Sequence, residues 1–253
     1  MSEVLRALAT LLDPPSPAHA RVAAALELPA LPDAADYTDV LAFQAYPYAS
    51  VYLGADGMLG GDARDRVAGF WRTLGAEPAH EPDHVGALLA GLSQLADAER
   101  EAGSPRQAAA ARRARGVLLS EHVASFLPAF VATLRRIGHP FYAAWASLAE
   151  AAVLAESEAL GETSPRTASL PVFSPVPEST DELLALLLAP ARVGFTLVRD
   201  DLWRAGDELE LSCRAGERRF VLRALLAQDA GGVLGWLAQE ADRQADAYAA
   251  SPL

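Results

Sequence analysis

The chain has 253 residues, of which 51% are hydrophobic and 21% charged. This composition supplies enough apolar surface for a folded core and excludes disorder throughout the chain. The 33 acidic residues outnumber the 21 basic ones and give a formal net charge of −12. A chain this acidic disfavours a nucleic-acid partner and favours a basic one. Cys213 stands alone, which excludes an intramolecular disulfide and a thiolate zinc cluster.

The first residues, Met1 to Arg6, carry an acid at position 3 and lead into no long apolar stretch, so they do not resemble a secretory leader. The longest apolar blocks, such as residues 183–189, fall far short of the roughly 20 residues that a membrane span needs. We therefore expect a cytoplasmic protein without membrane insertion.

Apolar residues recur mainly with the period of a helix, and runs typical of strands are scarce. One such stripe joins Val85, Leu88, Leu89, Leu92 and Leu95. Proline after serine or histidine marks several helix starts, and Pro128 should kink or divide the longest helix. The pattern predicts an all-α fold with helices near 3–12, 17–28, 34–45, 62–74, 82–102, 105–137, 140–160, 180–189, 199–210, 217–228 and 231–249.

Two stretches interrupt this pattern. Residues 46–61 are rich in tyrosine and glycine and are predicted to form a loop, and residues 161–178 contain four prolines with polar spacers, as in a linker. We therefore predict a bundle-like helical domain over 1–160, a linker over 161–178 and a smaller helical extension over 179–253.

Residues 80–84 read His-Glu-Pro-Asp-His and match the H-E-x-x-H pattern of zinc proteases. That chemistry needs both imidazoles on one face of a continuous helix, and Pro82 argues against such a helix. We predict instead that Glu81 caps a helix, that Pro82 is its first residue and that Asp83 lies in its first turn. A zinc hydrolase using His80, Glu81 and His84 stays as an alternative, as does a generic helical scaffold.

The order and spacing of several segments over residues 1–160 resemble the TorD/NarJ-type (TorD/DmsD-like) cytoplasmic chaperones of molybdenum-cofactor oxidoreductases. Glu81-Pro82-Asp83-His84, opening a leucine-striped helix, is the most specific of them. The sequence departs from the family where Phe126 stands in place of a frequent tryptophan. The other segments that carry the resemblance are 8–12, 47–53, 121–130 and 140–142.

The resemblance implies a binding protein without catalytic residues, cofactor or metal. Its partners would be the N-terminal, often twin-arginine, leader and the apo form of a molybdopterin oxidoreductase, held until cofactor insertion and export or assembly. Helical hairpins exchange between protomers in this family, so a monomer and a domain-exchanged dimer both stay open.

A basic leader followed by an apolar stretch suits an acidic protein with an aromatic groove. We expect Tyr48, Val51, Tyr52, Phe126 and Leu127 to line the groove, and Asp83, with Glu81 or Glu121, to accept an arginine. The remaining predicted peptide-binding residues are Ser50, Pro82, His84 and His122.

Overall fold

The computed structural model describes residues 1–161 and 176–249, and within them the regular structure is helical. This confirms the predicted all-α class. The helices of the first part are α1 Ser2–Thr10, α2 His19–Ala25, α3 Ala34–Tyr37, a π-helix Thr38–Gln44, α4 Ala49–Leu53, α5 Gly61–Thr73, α6 Val85–Arg100, α7 Pro105–Val117, a second π-helix Leu118–Val123, α8 Leu127–Ile137 and α9 Pro140–Leu160.

The described helices of the second part have at most 11 residues, apart from the last one, which has 20. They are α10 Thr180–Leu187, α11 Pro190–Val193, α12 Arg199–Glu208, α13 Arg218–Gln228 and α14 Ala230–Ala249. Most of the predicted linker 161–178 lies outside the described residues, so the boundary at this point stays a prediction.

Buried apolar side chains form two separate clusters. The larger cluster joins α1, α6, α8 and α9, where the fully buried Trp145 donates its indole N–H to the Leu8 carbonyl at 3.0 Å. The second cluster lies within the second part and centres on buried residues such as Leu222 and Trp236. Each part therefore has a core of its own.

The long helix predicted over 105–137 is divided, as Pro128 requires. A π-helix follows α7, and the chain then bends by 51° before α8. Pro128 lies in the first turn of α8, where its missing N–H leaves no helical hydrogen bond unmade. Three other features differ from the predictions. The helix α4 lies inside the predicted loop 46–61, the predicted helix 34–45 becomes a π-helix after its first turn, and α11 lies between two predicted helices.

Among the described helices, no single one has both the length and the apolar character to cross a membrane. The bent pair Pro105–Val123 and Leu127–Ile137 meets the length and composition criteria when its two parts are taken together.

The second part lies against the first through charged and aromatic contacts. Arg136 on α8 forms an ion pair with Asp201 on α12 and donates to the Thr196 carbonyl at 3.0 Å. Arg218 lies over the Tyr46 ring at 5.5 Å. Arginines at the junction therefore link the helices of the two clusters.

Candidate functional site

Two segments that carry the resemblance lie side by side, the most specific one, residues 81–84, and the start of the segment 47–53. Tyr48 and His84 form an isolated antiparallel bridge, and the Ala49 N–H donates to the Asp83 carbonyl at 3.0 Å. The Tyr48 and His84 rings meet edge to face, 5.0 Å between centroids. The structure therefore brings together two predicted site segments that lie more than 30 residues apart in the chain.

Asp83 is almost fully buried, with 1% of its surface exposed. Its Oδ2 accepts a hydrogen bond from the Ser50 N–H at 3.1 Å, at the start of α4. Ser50 is fully buried as well, and its Oγ accepts from the Gly60 N–H at 3.1 Å. The expectation that Asp83 offers its carboxylate to an arginine is therefore wrong for this geometry, because the carboxylate is buried and accepts the Ser50 amide at the start of α4.

The predicted start of α6 is also corrected. The helix begins at Val85, with His84 as its N-cap, while Glu81, Pro82 and Asp83 form the preceding turn. His84 donates its backbone N–H to the Glu81 carbonyl at 3.2 Å across that turn. Glu81 is exposed and caps no helix. The zinc-hydrolase alternative thereby loses its premise, because His80 and His84 do not share a helix.

His84 is held as a neutral ring. Its Nδ1 accepts from the Gly86 N–H at 3.0 Å, so the ring proton resides on Nε2. Burial lowers the pKa of His84 below its ordinary value of 6.5, against the opposing influence of Glu81, Asp13 and Asp83. At neutral pH the imidazole is therefore a hydrogen-bond donor through Nε2 and carries no charge.

We expect His84→Asn to reduce the loss of stability on acidification. Because the folded pKa is lowered, the unfolded chain binds the proton first, so stability is fully present above about 6.5 and falls as the pH drops below it. Asparagine accepts the Gly86 amide as an N-cap without titrating. Urea unfolding at pH 7.5 and 5.5 measures the effect, and an unchanged pH dependence in the variant would contradict it.

A cleft of about 520 Å³ opens beside the bridged segments. Its charged side chains are the carboxylates of Asp13 and Glu81, and no lysine or arginine of the described chain lines it. Tyr37, Tyr48 and His84 supply the rings, and the remaining lining residues are Ala9, Thr10, Leu12, Pro14, Gly86 and Ala87. We call this site the acidic cleft.

Tyr48 joins the bridged segments to the acidic cleft. Its hydroxyl donates to Glu81 Oε2 at 2.8 Å, and burial, reinforced by this bond, raises the pKa of Tyr48 far above its ordinary value. Burial and the nearby Asp13 raise the pKa of Tyr37 as well. Both phenols therefore stay protonated, and the Glu81 carboxylate is oriented with its second oxygen available as an acceptor.

Four of the five residues predicted to line an apolar groove are buried in the core. Val51, Tyr52, Phe126 and Leu127 are at most 4% exposed and belong to the larger core cluster. The Tyr52 and Phe126 rings pack 5.8 Å apart. Tyr52 on α4 and Phe126 at the start of α8 fill the space between these helices, which pack together, and do not present a surface to a peptide.

The remaining predicted residues lie away from the acidic cleft. Glu121 is exposed on the second π-helix, and the buried His122 ring packs against Phe70 at 5.5 Å. Burial lowers the pKa of His122 below its ordinary value. Of the predicted set, Tyr48, Glu81 and His84 line the cleft.

Asp13 and Tyr37 line the acidic cleft and were not predicted. The two prolines that follow Asp13 indicate that α1 has ended before them. They are the local signal in the sequence that Asp13 lies on a loop. Nothing in the sequence predicts that this loop lies across the cleft from Glu81, because that arrangement depends on how α1 packs against α6.

Comparison with known proteins finds a family for the first part of the chain. A family model described as nitrate reductase delta subunit matches residues 2–132, which are 131 of the 253 residues. No protein in the curated collection matches the chain. The matched region contains α1, the bridged segments and the acidic cleft, and it confirms the resemblance to TorD/NarJ-type chaperones. The chain belongs to the nitrate reductase delta subunit family, a family of maturation chaperones for molybdoenzymes.

Proposed function

We propose that the protein is a cytoplasmic maturation chaperone that binds a twin-arginine type leader, and the apo form, of a molybdopterin oxidoreductase at the acidic cleft. The protein would hold the apoenzyme until its cofactor is inserted and then release it for export or assembly. The observation that carries the proposal is the pair of carboxylates, Asp13 and Glu81, in a cleft whose described lining contains no basic side chain.

Arginine suits this cleft for two reasons. A guanidinium forms charge-assisted hydrogen bonds with carboxylates, and such bonds contribute about 1.5–3 kcal/mol each. It also stacks on aromatic rings, which Tyr37 and Tyr48 supply. The formal net charge of −12 attracts a basic segment at longer range.

The apolar part of a leader needs an exposed surface, since the predicted groove residues are buried. Met58 and Leu59 are 64% and 57% exposed on the segment between α4 and α5. The Gly60–Ser50 hydrogen bond ties this segment to α4, and thereby to the bridged segments. We propose that Met58 and Leu59 contact the apolar residues that follow the arginines.

We expect Glu81→Gln to weaken leader binding at least tenfold, and Asp13→Asn with Glu81→Gln to weaken it further. Glutamine retains an acceptor for the Tyr48 hydroxyl, so the variant removes the charge and little else. Fluorescence anisotropy with a synthetic twin-arginine leader peptide, at low and at physiological salt, measures the affinity. Glu77→Gln, an exposed glutamate four residues earlier that does not line the cleft, is the matched control.

Two results would overturn the assignment of this site. One is equal affinity for the wild type and the double variant. The other is equal affinity for a peptide in which glutamine replaces both arginines.

For the oligomeric state, a monomer and a domain-exchanged dimer both stay open. Light scattering during size-exclusion chromatography distinguishes them by the mass of the particle.

A further inference from the structure

A second cavity, lined mainly by basic side chains, lies where α14 contacts α8. Its volume is about 120 Å³, several times the space that one water molecule needs. Its charged side chains are Arg136 on α8, Arg204 on α12, and Glu240 and Arg243 on α14. The other lining residues are Ala132, Thr133, Gln244, Ala247 and Tyr248. We call it the arginine cavity.

Glu240 is the centre of this cluster and is 1% exposed. Its carboxylate accepts from Arg204 Nη2 at 2.8 Å, from Arg243 Nε at 3.0 Å and from Gln244 Nε2 at 2.8 Å. Burial alone would raise the pKa of Glu240, but these hydrogen bonds and the arginine charges hold it below its ordinary value. The carboxylate therefore stays ionised and fixes the arginines around it.

The arginine cavity nevertheless has an excess of positive charge. Three arginines line it against one carboxylate, that of Glu240, so the lining itself carries two positive charges in excess. The carboxylates of Asp201 and Glu208, which pair with Arg136 and Arg204, do not line the cavity. A positive surplus is unusual in a chain with a net charge of −12. It marks the cavity as a site for an anion.

Hydrogen-bond donors remain for such an anion. Arg204 Nε is buried without a hydrogen-bond partner among the described residues, and the nearest carboxylate oxygen, on Glu208, is 3.9 Å away. Arg243 uses Nε and Nη2 on Glu240, and no contact within the described residues engages its Nη1. A buried guanidinium donor without an acceptor is costly, and an anion would satisfy it.

The two outer guanidiniums are also held in place in advance. Arg204 and Arg243 both lie over the Trp236 ring, at 5.2 and 5.5 Å from its centroid. Because stacking already limits the freedom of both side chains, binding an anion costs them little further conformational entropy.

We infer that the arginine cavity binds a small oxoanion, namely a phosphate or the phosphate group of a monoester. Arginine forks match the oxygens of a tetrahedral oxoanion through paired N–H donors. The bound anion would contact Arg204 and Arg243 of the second part and lie beside the positive charge of Arg136 of the first, and would therefore strengthen the junction between the two core clusters.

The test compares inorganic phosphate with chloride at equal ionic strength and pH. Phosphate should raise the thermal midpoint of the full-length wild type more than chloride does, and isothermal titration should give a saturable site. Arg243→Gln should remove at least half of that midpoint shift and weaken phosphate binding at least tenfold. Arg243→Lys keeps the charge but loses the fork, so its affinity should be intermediate.

Arg223→Gln is the matched control. Arg223 is 49% exposed, as Arg243 is, and pairs with a single carboxylate outside the cavity, that of Asp181. Glycerol phosphate distinguishes the source of the oxoanion: binding at least as tight as that of inorganic phosphate assigns a monoester, and exclusive binding of inorganic phosphate assigns the free anion. Phosphate acting no better than chloride, or an equal loss in Arg223→Gln, would overturn the inference.

Discussion

Arg136→Leu should lower the free energy of unfolding by about 3 kcal/mol, the lower end of the range for breaking a buried ion pair. The partner Asp201 has a side chain that is 3% exposed, so its carboxylate would stay in the protein without its main counter-charge. The loss falls at the lower end because Arg204 Nη2 and the Val198 N–H still contact Asp201. Urea unfolding followed by circular dichroism measures it.

The same variant should show a characteristic pH dependence. Burial raises the pKa of Asp201 above its ordinary 3.8 even with Arg136 present. Removing the arginine raises it further, so the folded variant takes up a proton more readily than the unfolded chain. The variant should therefore recover part of the lost stability as the pH falls through the raised folded pKa toward 3.8.

Arg223→Leu provides the comparison for Arg136→Leu. Arg223 and Asp181 have side chains 49% and 64% exposed, and water screens such a pair, so the expected loss is much smaller. If the two variants lose the same stability, Arg136 does not hold the junction between the two parts. The double variant Arg136→Leu/Asp201→Leu should lose less than Arg136→Leu alone, because no unpaired carboxylate remains.

Periodicity and caps predicted much of the fold because both act within a few residues. The stripe from Val85 to Leu95 is buried along α6, as its spacing requires. Ser104 caps α7 through a 3.3 Å bond from the Gln107 N–H, with Pro105 in the first turn. Such signals need no knowledge of the rest of the chain, and the helices that carry them were predicted.

Contacts between distant segments were harder to predict. Asp83 is predicted in the first turn of a helix capped by Glu81, yet it precedes that helix and satisfies the Ser50 amide of α4 instead. The aromatic residues Tyr52 and Phe126 have no periodic context that distinguishes core from surface, and they proved to be core. The acidic cleft depends on how α1 and α6 pack, which local patterns do not encode.

We expect Asp83→Ala to cost about 1–3 kcal/mol of stability and to weaken leader binding as a consequence. Alanine leaves the buried Ser50 N–H without its acceptor, and that desolvation penalty sets the size of the loss. The start of α4 would loosen, and with it the bridge that positions Tyr48 beside Glu81. Urea unfolding and leader-peptide anisotropy on the same preparations measure both effects.

Asp83→Asn separates a positioning role from a direct one. Asparagine keeps a side-chain oxygen for the Ser50 amide and removes the charge, so a positioning residue should keep most of its leader affinity in this variant. If Asp83 contacts the arginine directly, Asn should weaken binding as much as Ala does, and the acceptor role that we propose for Glu81 would pass to Asp83. Because 99% of Asp83 is inaccessible in the folded chain, that result would also require the turn formed by residues 81–83 to open when the leader binds.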